Sequence, residues 1–407
     1  MTSGFEPATG GTKRRSLVQA MPLWRLAFRP FFLLGAIFSL VAMLLWGGFW
    51  HGEMLLSPYG GMLWWHQHEM LFGFGAAIVV GFLLTAVQNW TGRPGLSGGS
   101  LFALVLLWLM GRLLLAVPPD ASAVWLALLD IAFLPAAAAI LALSVIRVRQ
   151  WRNLIFLPML LLLSAANGLM HWGAIQFDGQ AVREGAHIAI LLMTLLMVVL
   201  GGRVIPFFTA RRLGIAQPTP RPWLETIAVG SVTLLVILLW FDVLVALPGP
   251  PMAIVALAAA IANAWRLCRW KGLYCLKEPL LWGLHASYAF VCLGLAMWGA
   301  ASLGLLDASL ALHAIAVGGM GTMMLAMMAR VSLGHTGRAI RTLPGIGVAL
   351  GMLLLAAVLR ALLPVIWPQL LPWTLSMSVL CWVLAFTLFV WRYARLLATP
   401  RADGQAG

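Results

Sequence analysis

Charged residues are scarce in this sequence. Only 9% of its 407 residues are Asp, Glu, Lys or Arg, whereas 62% are hydrophobic. A soluble domain carries roughly a quarter charged residues. Such a chain cannot cover itself with a water-facing surface, but a bilayer accepts apolar side chains in place of water. The scarcity of charge excludes a soluble globular protein and predicts an integral membrane protein.

Acidic residues are scarcer than basic ones, with 12 Asp and Glu against 26 Lys and Arg and a net charge of +14. A nucleic-acid partner would need a basic face with polar neighbours. Here Lys and Arg stand singly or in short clusters between apolar runs. We therefore predict no nucleic-acid partner, and we attribute the excess to the positive loops that membrane proteins keep in the cytoplasm.

Cysteine pairs and familiar catalytic signatures are missing. The four cysteines form no Cys-x-x-Cys pair, so we expect no disulfides and interpret all four as structural filler. The chain has no P-loop, nucleophile elbow, HExxH or Cys-x-x-Cys-His motif. The last absence argues against covalently attached c-type haem and leaves non-covalent haem open.

The N-terminus lacks the pattern of a cleavable signal peptide. Its basic run Lys13-Arg14-Arg15 is followed by Met21-Pro22-Leu23-Trp24-Arg25 rather than by a smooth apolar region. We predict a cytoplasmic N-terminal segment at 1–29, one polytopic transmembrane domain at 30–397 and a cytoplasmic tail at 398–407. A boundary between two halves is expected near 208–222, the longest cytoplasmic connection.

Long apolar runs are what the sequence does contain. About 20 apolar residues span a bilayer as a helix, and Pro, Gly and Arg punctuate the runs here. The predicted fold is all-α, with about twelve transmembrane helices. We place them near 30–50, 65–89, 100–117, 122–146, 153–175, 184–207, 223–247, 250–266, 279–304, 308–330, 343–363 and 369–391.

The placement of Lys and Arg predicts the orientation. With the N-terminus inside, the basic connections near 147–152, 211–221 and 266–277 all face the cytoplasm. The outer side then receives little positive charge beyond Arg183, together with acids such as Glu53 and Asp120. We predict a multi-pass protein with both termini in the cytoplasm.

An internal pattern recurs every four spans. Helices two, six and ten each begin with a His, and each closes with a Thr-small-Arg signal 22 or 23 residues later. The pairs are His68 with Thr91-Gly92-Arg93, His187 with Thr209-Ala210-Arg211, and His313 with Thr336-Gly337-Arg338. The pattern suggests three pseudo-symmetric four-helix units around central sites. Chance recurrence of a short signal is the alternative.

Histidines at membrane depth are functional candidates because polar groups are costly there. Imidazole is also the commonest metal ligand in proteins. His66 and His68 stand two residues apart and so point about 200° apart on a helix, which predicts that they serve different centres or that one supports the other. For any single outer His, an interfacial residue is the alternative. His335 falls in a predicted cytoplasmic loop, where solvation is the plain interpretation.

Other polar and small residues allow two interpretations each. Arg203 and Arg330, near inner helix ends, could hold cofactor carboxylates or extend to the interface. Asp130 is a buried acid with no obvious partner in the sequence. Gly201-Gly202 and similar pairs suit a planar group between helices, or ordinary close packing. Met323-Met324 and its neighbours are interpreted as packing rather than copper ligands.

Several long blocks of the sequence resemble the signature of the NnrS family, and the resemblance covers almost the whole chain past residue 25. One departure is Gln88, where a small residue or Pro is expected before Asn89. The blocks are Phe28-Arg29-Pro30-Phe31-Phe32, Trp65-His66-Gln67-His68-Glu69-Met70-Leu71-Phe72-Gly73-Phe74 with the run 81–93 after it, Gly201-Gly202-Arg203-Val204-Ile205-Pro206-Phe207-Phe208-Thr209, and the run 326–338.

The resemblance implies a bacterial inner-membrane protein that contains haem b, bound non-covalently, and copper. It links the chain to nitric oxide, denitrification and protection against nitrosative stress. Histidines along the part of the chain that resembles the family become the metal candidates. The metal candidates are His66, His68, His187, His285, His313 and His335, and the candidates for binding the haem cofactor are His68, His187, His285, His313, Arg203 and Arg330.

The resemblance leaves the molecular activity of the protein open. The chain could bind or convert nitric oxide, or relay electrons from a donor, and any enzymatic activity is uncertain. Its three groups of four helices also resemble haem-copper oxidases and nitric oxide reductases, but the adjacent His pair on helix seven of those enzymes is missing. Alternatives are a transporter of a metal, haem or nitrosyl species, and a protein that shields or delivers metal.

Overall fold

The computed structural model describes residues 21–53 and 56–405. The basic run Lys13-Arg14-Arg15 and most of the predicted N-terminal segment lie outside the described residues, as do the last two residues of the predicted tail. Within the described residues the chain is all-α and has twelve helices long and apolar enough to cross a membrane.

The twelve helices are numbered α1 to α12 in chain order. They are α1 Phe28–Trp50, α2 Gly61–Thr91, α3 Gly98–Ala116, α4 Ala123–Ile146, α5 Trp151–Gln176, α6 Gly179–Leu213, α7 Pro222–Asp242, α8 Gly249–Cys268, α9 Pro279–Ser302, α10 Ala308–His335, α11 Ile346–Ile366 and α12 Pro368–Ala398. The predicted number of spans is confirmed. Several ends differ from the prediction because polar residues extend a helix beyond its apolar run.

Helix caps explain where α6 and α10 begin, α6 earlier than predicted and α10 at its predicted start. The Asp178 carboxylate accepts from the backbone N–H of Gln180 at 2.9 Å and of Ala181 at 3.2 Å, which starts α6 five residues before its predicted start. Asp307 starts α10 in the same way and accepts from the N–H of Ser309 at 2.6 Å. Both caps satisfy backbone donors that the first helical turn leaves unpaired.

The first and last helices meet at one end of the bundle. Nη1 of Arg29 in α1 donates to the carbonyl oxygens of Leu397 at 2.9 Å and Thr399 at 2.7 Å. The N–H of Ala402 donates to the carbonyl of Thr336, just after α10, at 2.9 Å. We call this end, where the described chain starts and finishes, the terminal end, and the other the opposite end. Which of them faces the cytoplasm stays a prediction.

Three helices form the interior of the bundle. In α2, α6 and α10 the most apolar 18-residue stretch is 78% buried, against 33–67% in the other nine. These are the helices that carry the recurring His pattern, every fourth span. Their central position agrees with a threefold arrangement of four-helix units. The rotation that would relate the units stays a prediction.

Exposed tryptophan side chains occur at both ends of the bundle. Trp125, Trp172 and Trp373 are exposed near the opposite end, and Trp223 and Trp391 near the terminal end. Tryptophan is enriched where a membrane meets water. Together with the twelve apolar helices, these exposed tryptophans indicate that the protein is multi-pass and contacts the lipid bilayer.

Glycines in the interior allow close helix packing. A Cβ atom on Gly318 of α10 would overlap the ring and Cβ of Phe290 on α9, and one on Gly202 of α6 would overlap the guanidinium of Arg266 on α8. Small residues at such contacts let helix backbones approach. The structure therefore favours the packing interpretation of these glycines over a planar group held between them.

Gly318→Ala is expected to destabilise the protein by about 1–3 kcal/mol, because the added methyl group overfills a packed contact. Gly351→Ala on α11 is the matched control, since a Cβ there meets no atom within 4 Å. The unfolding midpoint in detergent should fall for Gly318→Ala and stay near the wild-type value for Gly351→Ala. Equal midpoints for the two variants would contradict the packing interpretation.

Candidate functional site

A chamber lies near the opposite end of the bundle, between the three interior helices and α1, α11 and α12. Its volume is about 450 Å³, and its walls include His66 from α2, His187 from α6 and His313 from α10. Each of these residues lies within the first three turns of its helix. Cavities of 300–1,000 Å³ with mostly apolar walls and a few convergent polar groups are typical of ligand sites.

The three imidazoles of the chamber are held by neighbouring side chains. His66 stacks on Trp46 with ring centroids 4.2 Å apart, and its buried Nδ1 has no hydrogen-bond partner among the described residues. His187 meets the edge of Trp298 at 5.1 Å. His313 donates through Nδ1 to the carbonyl of Ser309 at 2.6 Å, which leaves its Nε2 with a free lone pair. All three rings are oriented before any ligand arrives.

Charged and polar groups lie at the mouth of the chamber. Arg183, Arg360 and Asp307 line it together with the amide of Gln67. Arg360 donates through Nη2 to Oγ of Ser309 at 3.0 Å, which ties the mouth to the start of α10. Two guanidinium groups here suit an anionic group on a bound ligand, because Arg pairs well with carboxylates.

A second cavity continues the chamber toward the middle of the bundle. It measures about 70 Å³ and its walls are apolar, with methionines and Gly201 among them. Met320 lines both cavities and so stands between them. Met323, Met324 and Met327 also line the second cavity, in agreement with their interpretation as apolar packing.

Two of the interior helices widen next to their histidines. A π-helical segment, Glu69–Gly75, follows His68 in α2, and another, Ala314–Gly321, follows His313 in α10. π-Helical turns are rare and occur frequently at functional sites. The same irregularity directly after a recurring His supports the relation between α2 and α10 that the sequence suggested.

His66 and His68 face different surroundings, as their spacing predicts. His66 lines the chamber, whereas His68 is fully buried on another side of α2. The recurring pattern in the sequence aligned His68 with His187 and His313. The structure instead brings His66 to the chamber beside those two histidines.

A buried polar cluster surrounds His68. Its Nδ1 lies 3.0 Å from Oε1 of Glu69, and its Nε2 lies 2.8 Å from Oδ1 of Asn167 and 3.1 Å from Oδ2 of Asp130. Nε2 of His171 lies 3.2 Å from the same Oδ2. We call these five residues, together with Arg112, the buried cluster.

The buried cluster corrects the prediction that Asp130 has no obvious partner. Arg112 on α3 forms an ion pair with Oδ1 of Asp130, and its Nε lies 3.2 Å from Oε2 of Glu69. Asn167 on α5 donates to Oδ2 of Asp130 at 2.8 Å. These partners belong to neighbouring helices, so no local sequence pattern named them.

Tyr59 closes the buried cluster at the opposite end. It lies in the connection before α2, and its hydroxyl oxygen is 3.5 Å from Nδ1 of His171. Burial, and next to it the negative charge of Asp130, raise the pKa of Tyr59 to about 12. The phenol therefore stays neutral at physiological pH.

The other predicted site residues lie nearer the terminal end. His285 donates through Nδ1 to the carbonyl of Leu281 at 3.0 Å, and its Nε2 is 3.4 Å from the Thr209 hydroxyl. His335 ends α10, rather than lying in a loop as predicted, and its ring centroid is 5.6 Å from that of Phe28. Neither occurs among the described residues that line the chamber, and their role as ligands stays a prediction.

Arg203 and Arg330 also lie toward the terminal end. The Arg203 guanidinium stands 5.9 Å from the ring centroid of Phe156, and that of Arg330 stands 3.9 Å from the ring centroid of Phe208. Among the described residues that line the chamber, the guanidinium groups are those of Arg183 and Arg360. The role predicted for Arg203 and Arg330 in holding cofactor carboxylates is untested by this geometry.

Comparison with known protein families shows to which family the chain belongs. The model of the NnrS protein family matches residues 22–401, nearly the whole chain. The chain belongs to the NnrS family. The resemblance that the sequence blocks carried is thereby confirmed. No curated protein matches the chain.

NnrS membership supports a general role in the response to nitric oxide and suggests that the protein binds metal or haem. The buried cluster adds a structural observation, since His68, Asp130 and His171 bring three ligand atoms within 4.8 Å of one another.

Proposed function

We propose that this NnrS protein holds haem b and copper in a bacterial inner membrane and uses them to bind nitric oxide during nitrosative stress and denitrification. The observation that carries the proposal is the chamber. Its walls include His66, His187 and His313, which come from three different interior helices. The termini are proposed to face the cytoplasm, so the chamber opens toward the outer side.

The residues of the chamber fit a haem and a copper ion. Neutral imidazole with a free nitrogen ligates both iron and copper, and the chamber offers the lone Nδ1 of His66 and the free Nε2 of His313. Arg183 and Arg360 at the mouth would pair with the haem carboxylates. The apolar remainder of the chamber would surround the porphyrin. Bound haem would supply an iron centre with affinity for nitric oxide.

The chain's own contribution to binding is orientation and exclusion of water. Stacking on Trp46 fixes the plane of His66, and the bond to Ser309 selects the tautomer of His313. A second hydrogen bond of this kind tunes a ligating imidazole. The apolar second cavity offers a small uncharged molecule such as nitric oxide a place of low polarity next to the chamber. Conversion of nitric oxide, if it occurs, would also require an electron donor.

Purified in mild detergent from cells that make haem and receive copper, the full-length protein is expected to show a Soret band, reducible α and β bands, and copper by elemental analysis. Addition of nitric oxide to the reduced protein should shift the Soret band. A colourless protein without copper would overturn the proposal. Uptake or efflux of metal, haem or a nitrosyl compound by that protein in proteoliposomes would then favour the transporter alternative.

A further inference from the structure

We infer that the buried cluster is a second metal site, separate from the chamber, in which a first-row transition-metal ion is held by Nε2 of His68, Nε2 of His171 and Oδ2 of Asp130. The inference is independent of the proposed haem and copper chemistry of the chamber. It rests on the separations of the ligand atoms, on the hydrogen-bond roles around them and on the balance of buried charge.

The ligand atoms are spaced as a metal ion would space them. Asp130 Oδ2 lies 3.1 Å from His68 Nε2 and 3.2 Å from His171 Nε2, and the three atoms lie within 4.8 Å of one another. Tetrahedral sites with bonds of about 2.0–2.1 Å place neighbouring ligand atoms roughly 3.3 Å apart. Asn167 Oδ1 lies 2.8 Å from His68 Nε2, so this amide is the nearest candidate for a fourth ligand once a metal ion separates the two atoms.

The hydrogen bonds around a neutral His68 would leave Nε2 and a carboxylate oxygen, both acceptors, facing each other. The Glu69 carboxylate accepts from Nδ1 at 3.0 Å, so that nitrogen carries the proton. In the neutral ring Nε2 is then an acceptor, yet it points at the oxygens of Asp130 and Asn167. A cation between these atoms removes the conflict. A carboxylate on the far nitrogen of a ligating His is also the usual support of a metal site.

Buried charge in the cluster also calls for a cation. With both carboxyl groups ionised, Glu69 and Asp130 are opposed by the single positive charge of Arg112. Arg112 pairs with Oδ1 of Asp130, and Oδ2 accepts from the Asn167 amide at 2.8 Å and also faces the two imidazoles. A buried charge without a partner is strongly unfavourable. A divalent metal ion beside Oδ2 more than offsets this excess negative charge, and two imidazoles with one carboxylate suit zinc, copper or iron(II).

The test compares metal binding by full-length variants in detergent, with Co²⁺ as the probe after removal of native metal by a chelator. His66→Gln serves as the background, because it removes a chamber imidazole and leaves the buried cluster intact. In that background the protein is expected to retain about one Co²⁺ with the visible absorption of four-coordinate cobalt. Adding His171→Gln should abolish that absorption, and adding His51→Gln, which removes an imidazole elsewhere, should not.

Glu69→Gln should weaken Co²⁺ affinity by about 10–100-fold, as loss of the outer partner of a ligating His does. Equal Co²⁺ binding with and without His171→Gln would overturn the inference and leave a proton as the cation of the cluster. If His171→Gln does not fold, X-ray absorption of the Co²⁺-loaded protein that carries His66→Gln, His187→Gln and His313→Gln together decides the question, because the chamber then offers no imidazole. Two imidazoles and a carboxylate around cobalt support the site, whereas a shell without imidazole, or no bound cobalt, overturns it.

The dependence of Co²⁺ binding on His171 can be measured whether or not the chamber holds haem. A protein that binds neither haem nor copper but holds Co²⁺ through His171 would contradict the proposed function and support the buried site. A protein that contains haem and copper, but whose Co²⁺ binding does not depend on His171, would support the proposed function and contradict the buried site.

Discussion

Replacement of His313 by Ala is expected to remove a cofactor from the chamber. His313 contributes a free Nε2, because the Ser309 carbonyl accepts from Nδ1 and so selects the tautomer of the ring. Among the described residues, only two further histidines line the chamber. Loss of the partner of a ligating His weakens metal binding by about 10–100-fold, so loss of the ligand itself should cost more. Iron and copper per chain should fall at least tenfold in one or both metals.

His66→Ala and His187→Ala extend this experiment. The pattern of loss assigns the ligands, because a variant that loses iron alone identifies a haem ligand and one that loses copper alone a copper ligand. His51→Ala is the matched control. His51 lies at the same end of the bundle, exposed and 3.1 Å from Ser376 Oγ, and does not line the chamber. If all three chamber variants fold and keep wild-type iron and copper, the chamber is not the cofactor site.

The number of spans could be predicted from the sequence because membrane thickness sets the length of an apolar run. The interior position of α2, α6 and α10 could also be predicted, since the recurring His pattern marked every fourth span. The ends of the helices were harder to predict from the sequence. Asp178 begins α6 before its apolar run through a cap that hydropathy does not register.

The histidine that faces the chamber could be predicted only in part. Helical geometry required His66 and His68 to point apart, and they do. The choice between them depends on how α2 rotates against its neighbours, and a π-helical segment directly after His68 changes that rotation. Single-sequence periodicity carries no signal for such a segment.

The partners of Asp130 were missed because they come from adjacent helices. One signal was nevertheless present. Arg112 and Asp130 lie on consecutive antiparallel helices, not far from the connection between them, so their depths in the membrane are similar. Glu225 and Arg266 on the consecutive helices α7 and α8 also lie at matched depth, here at the end away from the connection, and pair at 2.5 Å. Opposite charges at matched depth on a helical hairpin predict a buried ion pair.

Arg112→Met is expected to be among the most destabilising substitutions in the protein. The arginine is the only cation of the buried cluster that the described side chains supply permanently, and it contacts both Asp130 and Glu69. Removing one partner of a buried ion pair costs about 3–5 kcal/mol, because the other charge stays buried and unpaired. Here two carboxylates would be left. The unfolding midpoint in detergent should fall sharply, while Arg147→Met, at an exposed position, should change stability by less than about 0.5 kcal/mol.

A second substitution separates charge from packing. Arg112→Met with Asp130→Asn removes one positive and one negative charge, so the cluster returns to the wild-type charge balance with similar side-chain volumes. The double variant should therefore be more stable than Arg112→Met alone, with a coupling of about 0.5–3 kcal/mol between the two sites. Additive effects would mean that Arg112 acts through packing alone. A recovery would instead show that excess negative charge is what the cluster cannot tolerate, and this is the property that makes it attractive to a metal cation.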